Sequence, residues 1–127
     1  MEVSQVMRKA IIIDDHVLLK EAAKIMANKN IGSLIIINNN KIKGILTEKD
    51  VIKNVANLNS PVKKIMSKKV VEIAPETSIE EAINQMIENK VKRLPVVQDK
   101  KLVGIVTTTD VLAHYEGDFN EGDFIFN

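Results

Sequence analysis

The stretch Gly44-Ile45-Leu46-Thr47-Glu48-Lys49-Asp50-Val51 returns sixty residues later as Gly104-Ile105-Val106-Thr107-Thr108-Thr109-Asp110-Val111. The register extends back to Ala22 and Ala82, and nine of the thirty-one aligned pairs are identical. Ordinary composition would give about two identities by chance. Eight of the other twenty-two pairs match one aliphatic residue with another. The chain is therefore an internal duplication, and its function is sought at the few polar positions that both copies share.

Length and composition indicate a small globular protein. The chain has 127 residues, of which 45% are hydrophobic and 28% charged. Two copies of about sixty residues fit one domain only if they share a core, because a single copy would bury too little apolar surface. The net charge of +1 predicts no general field that would attract nucleic acid or an anionic membrane.

Cysteine content and hydropathy set the expected location. The chain contains no cysteine, which excludes a disulfide framework and a thiolate metal site or nucleophile, and a reducing cytoplasm fits best. Its longest apolar runs are strand-sized, and the N-terminus lacks the layout of a signal peptide. We therefore expect a soluble cytoplasmic protein.

Apolar periodicity predicts the order strand, helix, strand, strand, helix in each copy. In the first copy the predicted elements are Lys9–Ile13, Leu18–Asn28, Leu34–Ile37, Ile42–Leu46 and a helix that starts after Thr47. In the second copy they are Val70–Ile73, Ile79–Asn89, Leu94–Val97, Leu102–Val106 and Thr108–Tyr115. Aliphatic strands that alternate with helices favour a mixed α/β (α+β) fold of two packed layers. The predicted boundaries are 3–58 for the first repeat, 59–115 for the second and 116–127 for a tail.

Local signals mark several turns and helix starts. Asn38-Asn39-Asn40-Lys41 suits a hairpin turn, because asparagine tolerates positive φ. The hydroxyl of Thr47 can cap the helix that follows it. Ser78, with Glu81 three residues later, forms a capping-box pattern at the start of the next repeat's first helix.

The C-terminal tail has a different composition. Together with the preceding Tyr115, its Phe119, Phe124 and Phe126 are all the aromatic residues of the chain, and it contains the acidic and glycine-containing doublet Glu116-Gly117-Asp118-Phe119 and Glu121-Gly122-Asp123-Phe124. It has no helix or strand period. A mobile terminus and a segment that docks onto a dimer partner or another protein both remain open.

With the duplication and element order established, the chain resembles a tandem pair of CBS domains, the module named for cystathionine β-synthase. The resemblance covers about residues 3–115. It rests on Met7 and Met66 before each first strand, residues 75–82 and 93–97, and the two Gly-x-x-Thr-x-x-Asp stretches. It implies two intertwined, pseudo-symmetric β-α-β-β-α units. It also implies a cleft on each side of the pair that in many members binds AMP, ATP, S-adenosylmethionine or a related adenosyl compound.

The resemblance assigns two ligand sites, each drawing its aspartate from one repeat and most of its wall from the other. The first site would comprise Thr47, Asp50, Val70, Val71, Glu72, Thr77, Lys92, Arg93 and Pro95. The second would comprise Thr107, Asp110, Ala10, Ile11, Ile12, Val17, Ser33 and Ile35.

Physical chemistry supports a role for the shared threonine and aspartate. Each threonine ends a strand and starts a helix, so its hydroxyl and the amides behind it could bind a phosphate. The aspartate three residues on could accept hydrogen bonds from both hydroxyls of a ribose. Plain helix capping by the two side chains is the alternative. Gly44 and Gly104, in the preceding strands, would permit close backbone approach.

The two sites are predicted to differ. Lys92 and Arg93 align with Gly32 and Ser33, so only the first site is expected to have cations for phosphate. The first repeat also has Asp15 where Pro75 aligns, and Ile35 where Pro95 aligns. These departures put the second site in doubt for a nucleotide, though not for adenosine.

Two other classes of function fit less well. His16 and His114, the only histidines, lack the spacing of a metal site, and no nucleophile or phosphate-loop motif occurs. Asp14, Asp15 and His16 suggest a metal, but adjacent residues of an extended segment point to opposite faces. The basic cluster Lys63, Lys64, Lys68 and Lys69 suggests a nucleic-acid module, but no aromatic stacking platform accompanies it.

The sequence thus predicts a non-catalytic sensor that needs no cofactor. It would bind an adenosyl nucleotide as a regulatory ligand, signal to an effector protein in trans, and have no membrane partner. A nucleic-acid-binding module and a ligand-independent protein-interaction scaffold are the alternatives. A homodimer is expected, held by the apolar faces of the helices, including Val51, Val55, Val111 and Leu112.

Overall fold

The computed structural model describes residues 1–117 and 121–124, and the chain divides into two compact units. The middle unit is Ile11–Val70. The terminal unit consists of Met1–Ala10 together with the described residues from Val71 onward. The compact units thus do not coincide with the sequence repeats, since the first ten residues belong with the second repeat.

The middle unit contains a three-stranded sheet and two helices. Its elements in chain order are β1 (Ile12–Asp14), α1 (Leu19–Lys29), β2 (Ser33–Asn38), β3 (Lys41–Thr47) and α2 (Glu48–Lys53). The strand order is β1-β2-β3, with β1 parallel and β3 antiparallel to β2. Short 3-10 turns follow at Val55–Asn57 and Val62–Lys64.

The terminal unit repeats this arrangement with a two-stranded sheet. Its elements are α3 (Ile79–Asn89), β4 (Arg93–Gln98), β5 (Lys101–Thr107) and α4 (Thr108–Leu112). The strands β4 and β5 are antiparallel. The 3-10 turns in this unit lie at Val3–Gln5 and Glu121–Phe124. Across the described residues, no helix has both the length and the apolar composition needed to cross a bilayer.

Each unit has its own apolar cluster. In the middle unit the buried members are Leu19, Ala22, Met26, Leu34, Ile36, Leu46 and Val62. In the terminal unit they are Val3, Ile73, Ile79, Ala82, Ile83, Met86, Leu94, Val96, Val106 and Val111. The members of α1 and α3 recur at helical spacing, which confirms the predicted amphipathic faces.

The predicted hairpin turns are confirmed. Asn39 and Asn40 have φ of 52° and 60°, and Asp99 and Lys100 have φ of 50° and 66°. Two successive residues with positive φ match the twist of the flanking strands. Asparagine and aspartate supply three of the four positions, because they tolerate this region better than other non-glycine residues.

The helix ends follow local chemistry. The helix α3 has the predicted bounds, and Ser78 Oγ accepts from Glu81 N at 3.0 Å. Asn30 and Lys90 adopt the left-handed conformation after α1 and α3. Each donates its N–H back to the last helical turn, as a C-terminal cap does.

The segments 1–8 and 60–67 hold equivalent places in the two units. Val3 and Val62 are both fully buried. Arg8 and Ile105 exchange two backbone hydrogen bonds of 2.9 Å, as do Ser67 and Ile45. The duplication therefore extends to the N-terminus. Each segment forms a β-bridge to the third-last residue of the last strand in its unit, Ile105 or Ile45.

Glycine in both last strands makes room for these segments. A Cβ on Gly44 would lie 2.6 Å from Met66 Sδ and 2.6 Å from Ser67 O. A Cβ on Gly104 would lie 2.7 Å from Met7 Sδ. The close approach expected at these glycines is thus made by the chain itself.

Three predicted elements need correction. Residues 70–73 form no strand: only Ile73 pairs, through a parallel bridge to Val96, and Pro75, which lacks an N–H, follows two residues later. The first strand is Ile12–Asp14 rather than Lys9–Ile13, because residues 1–10 belong to the terminal unit. The last helix ends at Leu112 and does not reach Tyr115.

The described part of the tail packs on its own unit. Phe124 and Tyr115 lie against the apolar cluster of the terminal unit, and the turn Glu121–Phe124 contacts α3. This burial gives the two aromatic residues a local role. Phe119 and Phe126 lie outside the described residues.

The four residues predicted at a dimer surface do not share one environment. Val111 is fully buried in the terminal cluster, so its assignment to that surface is wrong. Val51 and Leu112 are partly buried against the clusters of their own units. Val55 is exposed, as is the neighbouring Ile52.

Candidate ligand-binding site

The shared threonine and aspartate contact each other in the middle unit. Thr47 N donates to Asp50 Oδ2 at 2.9 Å, and Thr47 Oγ1 donates to the same oxygen at 3.1 Å. Asp50 N in turn donates to Thr47 Oγ1 at 3.4 Å. This reciprocal pattern is a capping box, with aspartate in the place of the usual glutamate. The predicted capping role of both residues is therefore confirmed.

The capping box leaves the second carboxylate oxygen of Asp50 available. Within residues 1–117 and 121–124, no side chain or amide donates to Asp50 Oδ1. The carboxylate is half-buried, and its orientation is set by the two hydrogen bonds to Oδ2. A carboxylate oxygen held in this way is a preorganised acceptor for ligand hydroxyls.

The amides of the first turn of α2 are less available than the sequence suggested. Glu48 N donates to Gly32 O at 3.2 Å, and Asp50 N is bonded to Thr47 Oγ1. In the terminal unit Thr108 N likewise donates to Lys92 O at 3.0 Å. These hydrogen bonds compete with the predicted binding of phosphate by the same amides.

The terminal unit has the same threonine–aspartate pair. Thr107 N and Oγ1 both donate to Asp110 Oδ2 at 3.0 Å. Asp110 N donates to Thr107 Oγ1 at 3.4 Å. The two copies thus share one local geometry.

The two pairs differ at the second carboxylate oxygen. Arg8 Nε donates to Asp110 Oδ1 at 2.8 Å, an ion pair in which the Asp110 side chain is 4% exposed and that of Arg8 is 74% exposed. The equivalent of Arg8 in the middle unit is Ser67, whose Oγ accepts from Lys69 N at 3.3 Å. An arginine therefore occupies the oxygen that is open at Asp50.

Arg8 was missed by the sequence analysis. The sequence analysis named Lys92 and Arg93 as the cations of the predicted sites, whereas Arg8 forms an ion pair with Asp110. The available signal was the alignment of Met7 with Met66, which also aligns Arg8 with Ser67 in the two repeats. The contact itself joins residues 102 positions apart, so no local pattern could reveal it.

The remaining predicted site residues fall in both units. Ile11, Ile12, Val17, Ser33, Ile35 and Val70 belong to the middle unit, and Ala10, Val71, Glu72, Thr77, Lys92, Arg93 and Pro95 belong to the terminal unit. Within the units, Ser33 is the strand partner of Thr47, and Arg93 is the strand partner of Thr107. Their grouping into two sites stays a prediction.

Asp14, Asp15 and His16 converge, contrary to the alternation argument. His16 Nδ1 lies 3.0 Å from Asp14 Oδ1 and 2.8 Å from Asp15 Oδ1. The strand ends at Asp14 and a turn follows, so the three side chains lie on one side. Hydrogen bonds from His16 lower the pKa of Asp14. Asn38 Nδ2 donates to both oxygens of the buried Asp15 at 3.1 Å, so protein groups already satisfy this cluster.

Comparison with known proteins gives one family. The family model of the CBS domain matches residues 3–57 and again residues 62–117. An uncharacterized 17.7 kDa protein of Acidianus ambivalens is 36% identical over 107 residues, covering 81% of this chain and 65% of that protein. The CBS domain-containing protein YhcV of Bacillus subtilis is 30% identical over 113 residues, covering 86% and 81%.

One solved structure with the same fold contains ligands. It is the CBS domain pair of protein MJ0100 in complex with 5′-methylthioadenosine and S-adenosyl-L-methionine, with a TM-score of 0.81 and 28% identity. The match covers 89% of this chain and 94% of the other. Several curated relatives are longer: the chain spans 65%, 37% and 33% of the length of three of them.

Proposed function

This chain belongs to the CBS domain family, and from that premise we propose that it is a non-catalytic regulatory module that binds an adenosyl compound and signals to a partner protein. The observation that carries the proposal is the carboxylate of Asp50. Thr47 holds one of its oxygens, while the other has no partner within the described residues.

The Asp50 carboxylate suits a ribose. Two neighbouring hydroxyls of a ribose can both donate to a carboxylate, and hydrogen bonds to a charged acceptor are stronger than neutral ones. Because Thr47 fixes the side chain before a ligand arrives, little conformational entropy is lost on binding. AMP, ATP and S-adenosylmethionine share this ribose, and the ligands of the MJ0100 domain pair are adenosyl compounds. This common group supports the ligand class without selecting one member.

A thermal-shift screen with AMP, ADP, ATP, S-adenosylmethionine and NAD tests the proposal. A ligand that binds only the native state adds RT ln(1 + [L]/Kd), about 2.7 kcal/mol at a hundredfold excess over Kd. We expect at least one adenosyl compound to raise the melting temperature. Free adenine is the control for the base alone, and ribose 5-phosphate is the control for the sugar and phosphate. No shift with any compound at millimolar concentration would overturn the proposal.

We propose that the second aspartate, Asp110, is a ligand site that Arg8 keeps closed. Arg8 must release Asp110 Oδ1 before a ribose hydroxyl can donate to it. We expect Arg8→Gln to open this oxygen, so that calorimetry with adenosine detects a second equivalent of ligand that the unmodified chain binds more weakly. Ser67→Gln changes the equivalent residue of the middle unit and serves as the control. If the Arg8→Gln variant and the unmodified chain bind adenosine with the same stoichiometry and affinity, Arg8 does not block binding at Asp110.

A homodimer is also proposed, through the exposed end of the middle unit's second helix. Ile52 is 71% exposed and Val55 is 64% exposed, and two neighbouring apolar side chains offer a surface that the same surface of a second copy can cover.

Light scattering tests this assembly. We expect the chain to have twice its 14.2 kDa mass at tens of micromolar, and the double variant Ile52→Glu/Val55→Glu to have the monomer mass. Val103→Glu introduces a charge at another exposed apolar residue, on β5, and should leave the mass unchanged. A monomer mass for the unmodified chain would refute the dimer.

A further inference from the structure

The near-zero net charge conceals an uneven distribution between the units. The middle unit has eleven lysines and no arginine against five carboxylates, a formal net charge of +6. The terminal unit's sequence has seven basic residues against twelve carboxylates, a formal net charge of −5. The overall charge of +1 therefore does not describe the charge of either unit, and the excess of lysines in the middle unit can attract polyanions although the whole chain is nearly neutral.

Part of this positive charge is gathered in one open groove. The groove has a volume of about 920 Å³ and is lined by Asp15, Lys43, Lys63, Lys64, Met66 and Lys68. All six residues belong to the middle unit. The four lysines are exposed, so their ammonium groups can reach a ligand in solvent. We call this surface the lysine groove.

The four lysines of the lysine groove outnumber the carboxylates beside them, Asp15 in the lining and Asp14, which interacts with Lys63. Within residues 1–117 and 121–124, none of the four lysines forms an ion pair. Asp15, the carboxylate of the lining, is buried and engaged by Asn38 and His16. Four like charges around one groove repel one another, and a bound polyanion would relieve this repulsion.

We propose that the lysine groove binds the phosphate backbone of a nucleic-acid duplex without reading its sequence. Lysine is a compact donor to phosphate oxygens, and repeated backbone phosphates can neutralise several lysines at once. The middle unit contains no Phe, Tyr or Trp, so it lacks the stacking surface that single strands use. A duplex carries its phosphates outside and needs no stacking.

Other anionic partners fit the groove less well. A stable protein interface has an apolar centre and is depleted in lysine, whereas Met66 is the one apolar member of this lining. A single phosphate would be held by buried donors, and here the four cations are exposed side chains. A row of backbone charges therefore matches the groove best.

None of the residues that line the lysine groove belongs to the Thr47–Asp50 pair. Lys43 lies near the hairpin end of β3 and Thr47 lies at its other end. Four residues of a strand span about 13 Å. Loss of nucleic-acid binding can thus be distinguished from loss of adenosyl binding in the same chain.

Fluorescence anisotropy with labelled DNA and RNA duplexes of mixed sequence tests the proposal. We expect binding at low salt that weakens as salt rises, with a slope of log K against log salt of about −3 to −4, since each phosphate contact contributes about −0.9. The variant with Lys43, Lys63, Lys64 and Lys68 each changed to Gln should lose at least tenfold in affinity and keep its thermal shift with the adenosyl ligand.

A matched variant separates the groove from the general charge of the unit. Lys20, Lys24, Lys29 and Lys53 are also exposed in the middle unit, and changing these four to Gln removes the same charge. This control should retain most of the affinity. Equal losses in both variants, no binding at low salt, or binding of tripolyphosphate or an acidic peptide in place of a duplex would each overturn the proposal.

Discussion

Gly44→Ala is expected to destabilise the fold by about 1–3 kcal/mol, the usual cost of overpacking a filled site. The new methyl group would lie 2.6 Å from Met66 Sδ and 2.6 Å from Ser67 O. The methionine side chain can rotate away, but the carbonyl belongs to a segment that exchanges two 2.9 Å hydrogen bonds with Ile45. Relief of the clash therefore requires a shift of the segment against β3.

Urea denaturation of three variants measures this effect. Gly104→Ala should cost less, because the carbonyl it meets, Arg8 O, lies 3.0 Å away. Adding Met66→Ala to Gly44→Ala removes the sulfur and leaves the carbonyl, so the double variant should not recover the full stability. If Gly44→Ala unfolds within about 0.5 kcal/mol of the unmodified chain, the segment does not pack as described.

Features that depend on residues close together in the sequence were predicted well. The bounds of α3 follow from Ser78 at its start and from its apolar spacing, and both hairpins follow from turn residues that accept positive φ. The repeated Gly-x-x-Thr-x-x-Asp stretch identified the threonine–aspartate pairs and the family, and the match of the CBS domain model to both halves confirms that family. In each case the responsible groups lie within a few positions of one another.

Features that depend on distant residues could not be predicted. Residues 1–10 belong with the second repeat and contribute Val3 to its apolar cluster. The strand expected at 70–73 was wrong, because an apolar run does not show whether a partner strand lies beside it. The charge difference between the units was hidden for the same reason, since it depends on which residues each unit contains.

The described end of the tail shows the same limit. Its sequence left a mobile terminus and a docking segment open. The structure places Phe124 on the cluster that contains Val111 and beside α3. Composition does not predict that an aromatic side chain will cover its own unit, because the helix it lies beside, α3, ends more than thirty residues earlier along the chain.

Asp50→Ala is expected to weaken adenosine binding on the order of 30- to 1000-fold, which corresponds to about 2–4 kcal/mol for lost hydrogen bonds to a charged acceptor. The substitution also removes the capping box of α2, so a stability loss of about 0.3–1 kcal/mol accompanies it. If Asp50 had only a capping role, the substitution would lower the stability and leave the adenosine affinity unchanged. Calorimetric titration with adenosine, at a temperature where both proteins are folded, separates the two effects.

Asp110→Ala is the matched control for the same titration. It removes an identical capping box, but Arg8 already holds the oxygen that a ribose would need. We therefore expect a much smaller loss of adenosine affinity, together with a loss of stability at least as large as in Asp50→Ala, because the ion pair with Arg8 is lost as well. If Asp50→Ala binds adenosine as tightly as the unmodified chain does, the aspartate only caps its helix. Equal losses of affinity in both variants would show instead that a ribose displaces Arg8 readily and that the two pairs are equivalent binding sites.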